Sequence, residues 1–265
     1  ATGYGGIGRL ANGATITKCQ FIDVTNLQGG GGAFQGYNDV GTTIEDCLFS
    51  NVWAGDNSSK QQGGAIFSKP SAGNTTTIRG CKFVNCGGTF ANSNCGGAIY
   101  TGNPGNAIIE NNIFENITGG CQGLVLCLTN TGDISVVNNL ITGTKDLKGN
   151  QSTIFVSNTT ADKKVNLINN TVINPDASAT GVALYNNGNA MAMNNLFYSG
   201  LYSPAANKDN GSVTYIYKNN INITNGTLNM KGITAENNLL LKVANAGLAV
   251  DAAGVPTFRI AKLGA

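Results

Sequence analysis

Glu45, Arg79 and Glu110 are the residues of this sequence whose types and spacing could support acid–base chemistry. They are 34 and 31 residues apart, and each has the same place in a segment that recurs along the chain. Glycoside hydrolysis needs carboxylates within about 10 Å of one another, and stacked repeats would bring these side chains together. The alternative interpretation is a surface row of ion pairs, which contributes little to stability. No catalytic residue is therefore assigned, and these three are candidates only if the protein is an enzyme.

Histidine is absent from the 265 residues, which excludes imidazole general-base catalysis, a Ser-His-Asp triad and histidine-ligated zinc. The seven cysteines are an odd number, so at least one has no partner within the chain. None are spaced as Cys-x-x-Cys, and no metal site is expected. Cys86 and Cys95 are the favoured disulfide because they would close a short loop, whereas Cys121 and Cys127 could pair with other segments.

The composition points away from a helical protein and from a charged partner. Glycine and asparagine supply 37 and 38 residues, and both are poor helix formers. Charged residues make up 11% of the chain, with a net charge of +2, against roughly 25% in a typical soluble domain. Such a weak field would not attract nucleic acid, and no apolar run approaches the ~20 residues that span a bilayer. We expect a protein that works outside the cell or at its surface.

A short motif recurs nine times along the chain and sets the expected fold. Each copy has a Cys or Asn anchor, an apolar residue three positions before it and another two positions after it. The spacing between anchors runs from 19 to 34 residues, with a mean near 27. The anchors are Cys19, Cys47, Cys81, Asn112, Asn139, Asn170, Asn195, Asn219 and Asn238.

The repeated unit is predicted to be one coil of a β-solenoid. Its apolar blocks are short, rich in β-branched and aromatic residues, and bounded by Gly, Asn or Thr, which is typical of strands. A second apolar block follows a Gly-Gly-Ala sequence at residues 31–34, 63–67 and 96–100. Two or three short strands per repeat predict an all-β, single-stranded parallel β-helix of about nine coils. Coils stacked at about 4.8 Å would form a rod of roughly 43 Å.

Stacking gives the anchor column a physical role. Equivalent positions lie above one another in a solenoid, so a stacked Asn can pass a side-chain hydrogen bond to the Asn of the next coil. The six asparagine anchors would form such a ladder, and the three cysteine anchors would continue it with a small buried side chain. The residues two positions after the first four anchors would stack as rings in the core, and they are Phe21, Phe49, Phe83 and Phe114.

These motifs resemble the right-handed parallel β-helix of the pectate-lyase-like superfamily. The Gly-Gly-Ala block, alternating with a Cys-x-Phe block such as Cys47-Leu48-Phe49, is similar to the repeat of polymorphic outer-membrane and autotransporter passenger proteins. The resemblance covers about residues 3–240 and implies a right-handed coil, whereas the functions of this architecture range over lyases, hydrolases and adhesins. For a lyase, the resemblance would imply a Lys or Arg base and acidic residues that hold calcium. No cofactor is expected otherwise.

The predicted function is that of a non-enzymatic extracellular structural or adhesive β-helix, such as a component of a cell surface, a filament or an adhesin. Repeats that determine the fold occur throughout the chain, whereas residues arranged for chemistry are few. The alternative is a carbohydrate-active enzyme or a carbohydrate-binding rod, with aromatic sugar platforms at Trp53, Tyr37 or Tyr100. A polysaccharide or another cell-surface ligand is the expected partner.

The chain is predicted to have two parts. Residues 1–240 form the β-helix, and residues 241–265, which break the repeat and contain Pro256, form a capping or strand-donating segment. A terminal coil presents unpaired backbone groups, so self-association through open solenoid ends is one expectation. The alternatives are one slice of a longer solenoid and a capped or cut monomeric rod.

Overall fold

The computed structural model describes most of the chain between residues 5 and 257. The described residues are 5–11, 13–27, 30–55, 62–88, 95–102, 104–120, 122–147, 152–158, 160, 162–174, 180–186, 189–199, 215–223, 234–241, 249–250 and 256–257.

All but two of the described strands belong to four parallel sheets. The first sheet contains β1 (Gly8–Leu10), β5 (Phe34–Asp39), β9 (Ile66–Pro70), β13 (Ile99–Gly102), β17 (Gly123–Thr129), β21 (Ser152–Asn158) and β24 (Thr180–Asn186). The second contains β2 (Thr15–Thr17), β6 (Thr42–Glu45), β10 (Thr75–Arg79), β14 (Asn106–Glu110), β18 (Ile134–Val137), β22 (Lys164–Ile168), β25 (Asn189–Met193), β27 (Tyr215–Lys218) and β29 (Thr234–Glu236). The third contains β3 (Gln20–Ile22), β7 (Leu48–Ser50), β11 (Lys82–Val84), β15 (Ile113–Glu115), β19 (Leu140–Thr142), β23 (Thr171–Asn174), β26 (Leu196–Ser199), β28 (Ile221–Ile223) and β30 (Leu239–Leu241). The fourth contains β4 (Thr25–Asn26), β8 (Trp53–Ala54), β12 (Gly87–Gly88), β16 (Thr118–Gly119) and β20 (Lys145–Asp146).

The chain visits the sheets in a fixed order, so each circuit is one coil of a parallel β-solenoid. Strands β1 to β4 form the first coil, and each pairs in parallel with the equivalent strand of the second coil, β5 to β8. The predicted fold class, an all-β parallel β-helix, is therefore confirmed. Fewer than nine coils are complete in the described residues, because the second and third sheets have nine strands, the first has seven and the fourth has five.

Asparagine and aspartate turn the chain at two corners of the coil. Between the second and third sheets, Asn111, Asn138 and Asn169 have φ angles of 58°, 55° and 56°. Between the third and fourth sheets, Asn51 and Asn85 have φ angles of 53° and 51°. Asn and Asp adopt this left-handed conformation more readily than other residues that have a Cβ. The residue before each ladder asparagine is thus a turn residue, and the turns form a second asparagine column beside the ladder.

Buried asparagine side chains form the predicted ladder at the corner between the second and third sheets. Asn139 is 2% exposed, and its Nδ2 donates to Asn170 Oδ1 at 3.0 Å and to the Ile109 carbonyl at 2.9 Å. Its backbone N–H donates to the same Asn170 oxygen at 3.1 Å. Asn170 repeats this arrangement toward Asn195, with Nδ2 to Oδ1 at 3.1 Å. Each buried amide is therefore satisfied by the coils on both sides, which avoids the penalty of unpaired buried polar groups.

The ladder passes through Asn220 and not through Asn219. Asn220 Oδ1 accepts from Nδ2 of the preceding anchor at 2.9 Å, and Asn220 Nδ2 donates to Asn238 Oδ1 at 3.1 Å. Asn219 is the left-handed turn residue of this coil, with a φ of 56°. The prediction is wrong here because it required apolar residues around the anchor. The interior positions of this coil are Tyr217 and Asn222, and the Tyr217 hydroxyl donates to Asn222 Oδ1 inside the core.

Cysteine thiols continue the ladder in the first three coils. The Cys47 backbone N–H lies 3.4 Å from Cys81 Sγ, and the Cys81 N–H donates to Asn112 Oδ1 at 2.9 Å. The Cys81 thiol donates to the Ile44 carbonyl at 3.6 Å, which is the position where each asparagine Nδ2 donates. Burial raises the pKa of the Cys81 thiol to about 12, so the group stays protonated and remains a donor. Because Cys19 N–H also lies 3.4 Å from Cys47 Sγ, the predicted cysteine column is confirmed.

Replacing Cys81 by asparagine is expected to leave the free energy of unfolding unchanged or to raise it by up to about 1 kcal/mol. An amide at this position would accept from the Cys47 N–H and donate along the ladder, as the asparagine anchors do. The matched control is Cys127→Asn, because Cys127 is buried beside Phe67 and Tyr100, away from the ladder. An amide there would lack partners and cost about 2 kcal/mol. Urea denaturation followed by circular dichroism measures both variants, and equal losses would contradict the ladder.

Stacked phenylalanine rings fill the core beside the ladder. The rings of Phe49 and Phe83 are 4.7 Å apart between centroids and inclined by 5°, and those of Phe83 and Phe114 are 4.9 Å apart and inclined by 10°. Phe21 continues the stack at 5.0 Å from Phe49. The prediction that equivalent aromatic residues lie above one another is confirmed for all four.

The predicted Cys86–Cys95 disulfide is absent. Cys86 is a free thiol that belongs to the main core and donates to the Val84 carbonyl at 3.4 Å. Cys95 is disulfide-bonded to a different cysteine. The prediction relied only on the short separation along the chain. It is wrong because the Cys86 side chain lies in the main core, where it does not reach Cys95. Cys127 is a free buried thiol, and Cys121 lies outside the described residues.

The segment 241–265 is described at Leu241 and in two short strands only. β31 (Ala249–Val250) and β32 (Pro256–Thr257) pair antiparallel with each other. A capping or strand-donating role for this segment stays a prediction. Among the residues that the structure describes, no helix is long and apolar enough to cross a membrane.

Candidate functional site

Glu45, Arg79 and Glu110 lie side by side on the outer face of the second sheet. The register pairs Arg79 with Glu45 on one side and with Glu110 on the other. Arg79 Nε lies 3.1 Å from Glu45 Oε1, and Nη1 lies 4.0 Å from Glu110 Oε1. Hydrogen bonding to Glu45, reinforced by its charge, raises the pKa of the Arg79 guanidinium. The predicted column is present, and its geometry is that of a surface ion-pair row in which one cation engages both carboxylates.

Other charged side chains join neighbouring coils in the same way. Lys82 Nζ lies 2.9 Å from Glu115 Oε2 across β11 and β15, and Lys218 Nζ lies 2.9 Å from Glu236 Oε2 across β27 and β29. Pairs exposed to this degree contribute little to stability because water and salt screen them. Their common effect is to engage charges that would otherwise be free on the rod surface.

A second group of side chains lies on the outer face of the first sheet. It consists of Tyr37, Phe67, Lys69 and Tyr100, and we call it the aromatic–lysine cluster. Ile66 belongs to the main core, whereas Phe67 and Tyr100 belong to a separate buried cluster on the opposite face of the sheet. The Phe67 and Tyr100 rings stack at 5.2 Å, and the Tyr37 ring packs on Phe67 at 4.8 Å with a tilt of 56°. The three rings form a column across three coils.

Lys69 places its ammonium group against all three rings. Its Nζ lies 5.4 Å from the Phe67 ring centroid and 5.7 Å from those of Tyr37 and Tyr100. The negative ring faces attract a cation at these distances. Burial lowers the pKa of Lys69, so this amine loses its proton more readily than an exposed lysine does. Such an amine can bind an anion or accept a proton.

Two of the three predicted aromatic platforms meet in this cluster. Tyr37 is 38% exposed and presents its ring to solvent, whereas Tyr100 is 4% exposed. The Tyr100 hydroxyl lies 2.8 Å from Thr129 Oγ1, and burial raises the pKa of Tyr100 to about 12. Trp53 lies apart in the fourth sheet, where its ring packs so closely on Gly87 that a Cβ there would lie 2.9 Å away. Tyr37 is therefore the ring of this cluster that a ligand can reach.

Asp39 is a buried carboxylate at the end of β5. It is 1% exposed, and its carboxylate oxygens accept from Ser68 Oγ at 3.1 Å and from the Gly41 N–H at 3.3 Å. Burial raises the pKa of Asp39 above its ordinary value of 3.8, against the lowering effect of these hydrogen bonds. Ser68 Oγ also lies 2.6 Å from Thr76 Oγ1. The group therefore belongs to a polar cluster inside the rod and is not accessible to a ligand.

Replacing Asp39 by asparagine is expected to raise the free energy of unfolding at pH 7. The folded-state pKa lies above the unfolded value of 3.8, so the stability that the carboxyl contributes is present below pH 3.8 and is lost as pH rises through the folded pKa. The difference between Asp39→Asn and the wild type should therefore shrink as pH falls to 3. Chemical denaturation at several pH values measures this trend. A difference that is constant or grows toward low pH would contradict it.

Lys69 is missing from the residues predicted from the sequence, although a signal for it exists. Aligning the two Gly-Gly-Ala blocks at 63–65 and 96–98 places Phe67 and Tyr100 in one column. Lys69 follows Phe67 by two residues, which puts both on the same face of a strand. Among the described residues, no group of three or more His, Cys, Asp or Glu side chains is placed to hold a metal ion.

A family model described as a right handed beta helix region matches residues 3–197, well over half of the chain. The chain therefore belongs to the right-handed β-helix family, which confirms the right-handed parallel β-helix expected from the repeats. Neither the search of curated proteins nor the search of solved structures gives a match. Membership of this family establishes the fold and not the activity, because one fold can host many activities.

Proposed function

We propose that the chain is a non-enzymatic structural or adhesive β-helix, a component of a surface, a filament or an adhesin. The observation that carries this proposal is the hydrogen-bonded column from Cys19 to Asn238, in which each anchor N–H finds the side chain of the next coil. A rod in which every coil is hydrogen-bonded to the next resists bending and local unfolding. The engagement of both Glu45 and Glu110 by Arg79 supports the same interpretation, because it leaves these groups poorly suited to acid–base chemistry.

A location outside the cell is part of this proposal. Cys95 is disulfide-bonded, and disulfides persist mainly in oxidising compartments. The low content of charged residues, 11%, agrees with an exported protein rich in Gly and Asn. Both observations support a protein that meets its partners at a cell surface.

The proposal is tested by incubating the purified chain with a panel of acidic and neutral polysaccharides. We expect neither unsaturated products nor new reducing ends, because Arg79 engages both Glu45 and Glu110. Electron microscopy of native material should show rods within filaments or surface layers. Product release that Arg79→Ala abolishes would overturn the proposal.

End-to-end stacking is the mode of assembly that we propose for such a rod. Among the described residues, β2 and β3 lie at the ends of their sheets, and Ile16, Cys19 and Phe21 are only partly buried against the core. A coil from a second copy would cover these side chains and pair with both strands. Sedimentation velocity should show association that grows with concentration and that Ile16→Glu weakens. A strict monomer at all concentrations would refute it.

A carbohydrate-active protein is the second candidate, and the aromatic–lysine cluster favours it. The exposed Tyr37 ring could stack on a sugar, and the Lys69 amine could meet a carboxylate or accept a proton. On this alternative, Lys69→Ala and Tyr37→Ala abolish binding or cleavage of an acidic polysaccharide. Lys163→Ala, at a half-buried lysine paired with Asp162, has no effect. Equal behaviour of all three variants would remove this candidate.

A further inference from the structure

A column of mostly aliphatic side chains runs along the outer face of the third sheet. Each member is the first residue of its strand, and the register places each beside the next. In the first five of these strands the following residue is buried, so the member itself points outward. We call this column the aliphatic stripe, and it consists of Ile113, Leu140, Thr171, Leu196, Ile221 and Leu239. At about 4.8 Å per coil its length is roughly 24 Å.

The strands beneath the aliphatic stripe are uncharged along most of its length. The five third-sheet strands from β19 to β30 contain no Asp, Glu, Lys or Arg. The nearest ion pairs lie elsewhere, with Lys82 and Glu115 at the start of the stripe and Lys218 and Glu236 on the second sheet. A partner that covers the stripe would therefore desolvate few charges, and desolvation of charges is the main cost of burying a surface.

A neutral polar border lies beside the aliphatic stripe. It is formed by the exposed left-handed turn residues between the second and third sheets, such as Asn138, Asn169 and Asn194. Asn138 Nδ2 donates to Asn111 Oδ1 at 2.7 Å, so these amides are held in a column of their own. An apolar centre with a polar rim is the usual composition of a protein–protein interface.

We propose that the aliphatic stripe is a lateral interface, through which the rod packs side by side on the third sheet of a second copy. A sheet face packs best against another sheet face. The side chains of the stripe repeat at about 4.8 Å, so only a partner with the same repeat can interdigitate with them over the whole length. A second copy has this repeat and is equally uncharged there. The inference rests on the proposed structural rod and adds a direction of assembly to end-to-end stacking.

The area of the aliphatic stripe sets the strength of this contact. Strands of three residues are about 10 Å wide, so the face measures roughly 240 Å² per rod, whereas a stable interface buries about 800 Å² per partner. Two isolated rods should therefore associate weakly. End-to-end stacking would repeat the stripe along a filament, and several weak contacts acting together would then hold neighbouring filaments.

The test is small-angle X-ray scattering of the purified chain over a series of concentrations. Lateral packing increases the cross-sectional radius of gyration of a rod, whereas end-to-end stacking increases only its length. We expect the wild-type cross-section to grow with concentration, and Leu196→Lys, near the centre of the stripe, to abolish this growth. The matched control is Met191→Lys, at a half-buried apolar residue on the outer face of the second sheet in the same coil, which should behave like the wild type. Circular dichroism checks that both variants are folded.

The outcomes separate this inference from the function on which it rests. A cross-section that stays constant at every concentration, growth that Leu196→Lys does not change, or an equal loss of growth in Met191→Lys would overturn the lateral interface. Each of these results leaves a non-enzymatic rod standing as long as no polysaccharide is cleaved. Cleavage of a polysaccharide would overturn the proposed function, whether or not the rods pack side by side.

Discussion

Replacing Gly64 by alanine is expected to lower the free energy of unfolding by at least about 3 kcal/mol, because overpacking against backbone leaves no side chain that could move aside. A Cβ on Gly64 would lie 1.7 Å from the Gly97 carbonyl oxygen and 2.7 Å from its carbonyl carbon. The same contact recurs at Gly97, where a Cβ would lie 1.9 Å from the Leu124 oxygen. The Gly-Gly-Ala motif therefore reflects how closely one coil approaches the next.

The matched control for this prediction is Gly8→Ala. Gly8 is also in the first sheet, and a Cβ there would meet nothing within 4 Å. Urea denaturation monitored by circular dichroism should show Gly8→Ala near the wild type and Gly64→Ala at a much lower midpoint. Similar midpoints for the two variants would show that the coils can separate to admit a methyl group at little cost.

Replacing Asn170 by alanine is expected to lower the free energy of unfolding by about 3–5 kcal/mol, because several buried polar groups lose partners together. Asn170 Oδ1 accepts from both the backbone N–H and Nδ2 of Asn139. Its Nδ2 donates to the Val136 carbonyl at 2.8 Å and to Asn195 Oδ1 at 3.1 Å. Alanine removes all four bonds, and the Asn139 N–H remains buried without an acceptor.

The control is the neighbouring Asn169, replaced by glycine. Asn169 is exposed and has a φ of 56°, a conformation that glycine adopts without strain. Asn169→Gly should stay within about 0.5 kcal/mol of the wild type. Thermal and urea unfolding of both variants measure the difference, and a loss at Asn169 equal to that at Asn170 would show that the ladder adds nothing beyond the turn.

The anchor columns were predictable because the coil repeats at nearly fixed intervals. Aligning Cys47, Cys81 and Asn112 on one position correctly places Phe49 above Phe83 and Arg79 beside Glu45. Alignment fails at Asn219 and Asn220, because Asn222 stands where an apolar residue is expected two positions after the true anchor. The choice there depends on which amide faces the interior.

The candidate sites were less predictable than the columns. The aromatic–lysine cluster depends on how close Lys69 Nζ comes to rings on two neighbouring coils, a distance set by side-chain conformation. The cluster has no motif, because its residues come from three different coils and not from one segment of chain.

The sequence by itself determined the class of this protein, because an apolar, Cys or Asn pattern repeated about every 27 residues can bury its side chains only by stacking one repeat on another. The tertiary structure alone decided which of two adjacent asparagines enters the ladder and which cysteines stay free. These outcomes depend on the direction of each side chain from its strand. That direction is set by the left-handed turns between the sheets and by the close contact of coil on coil.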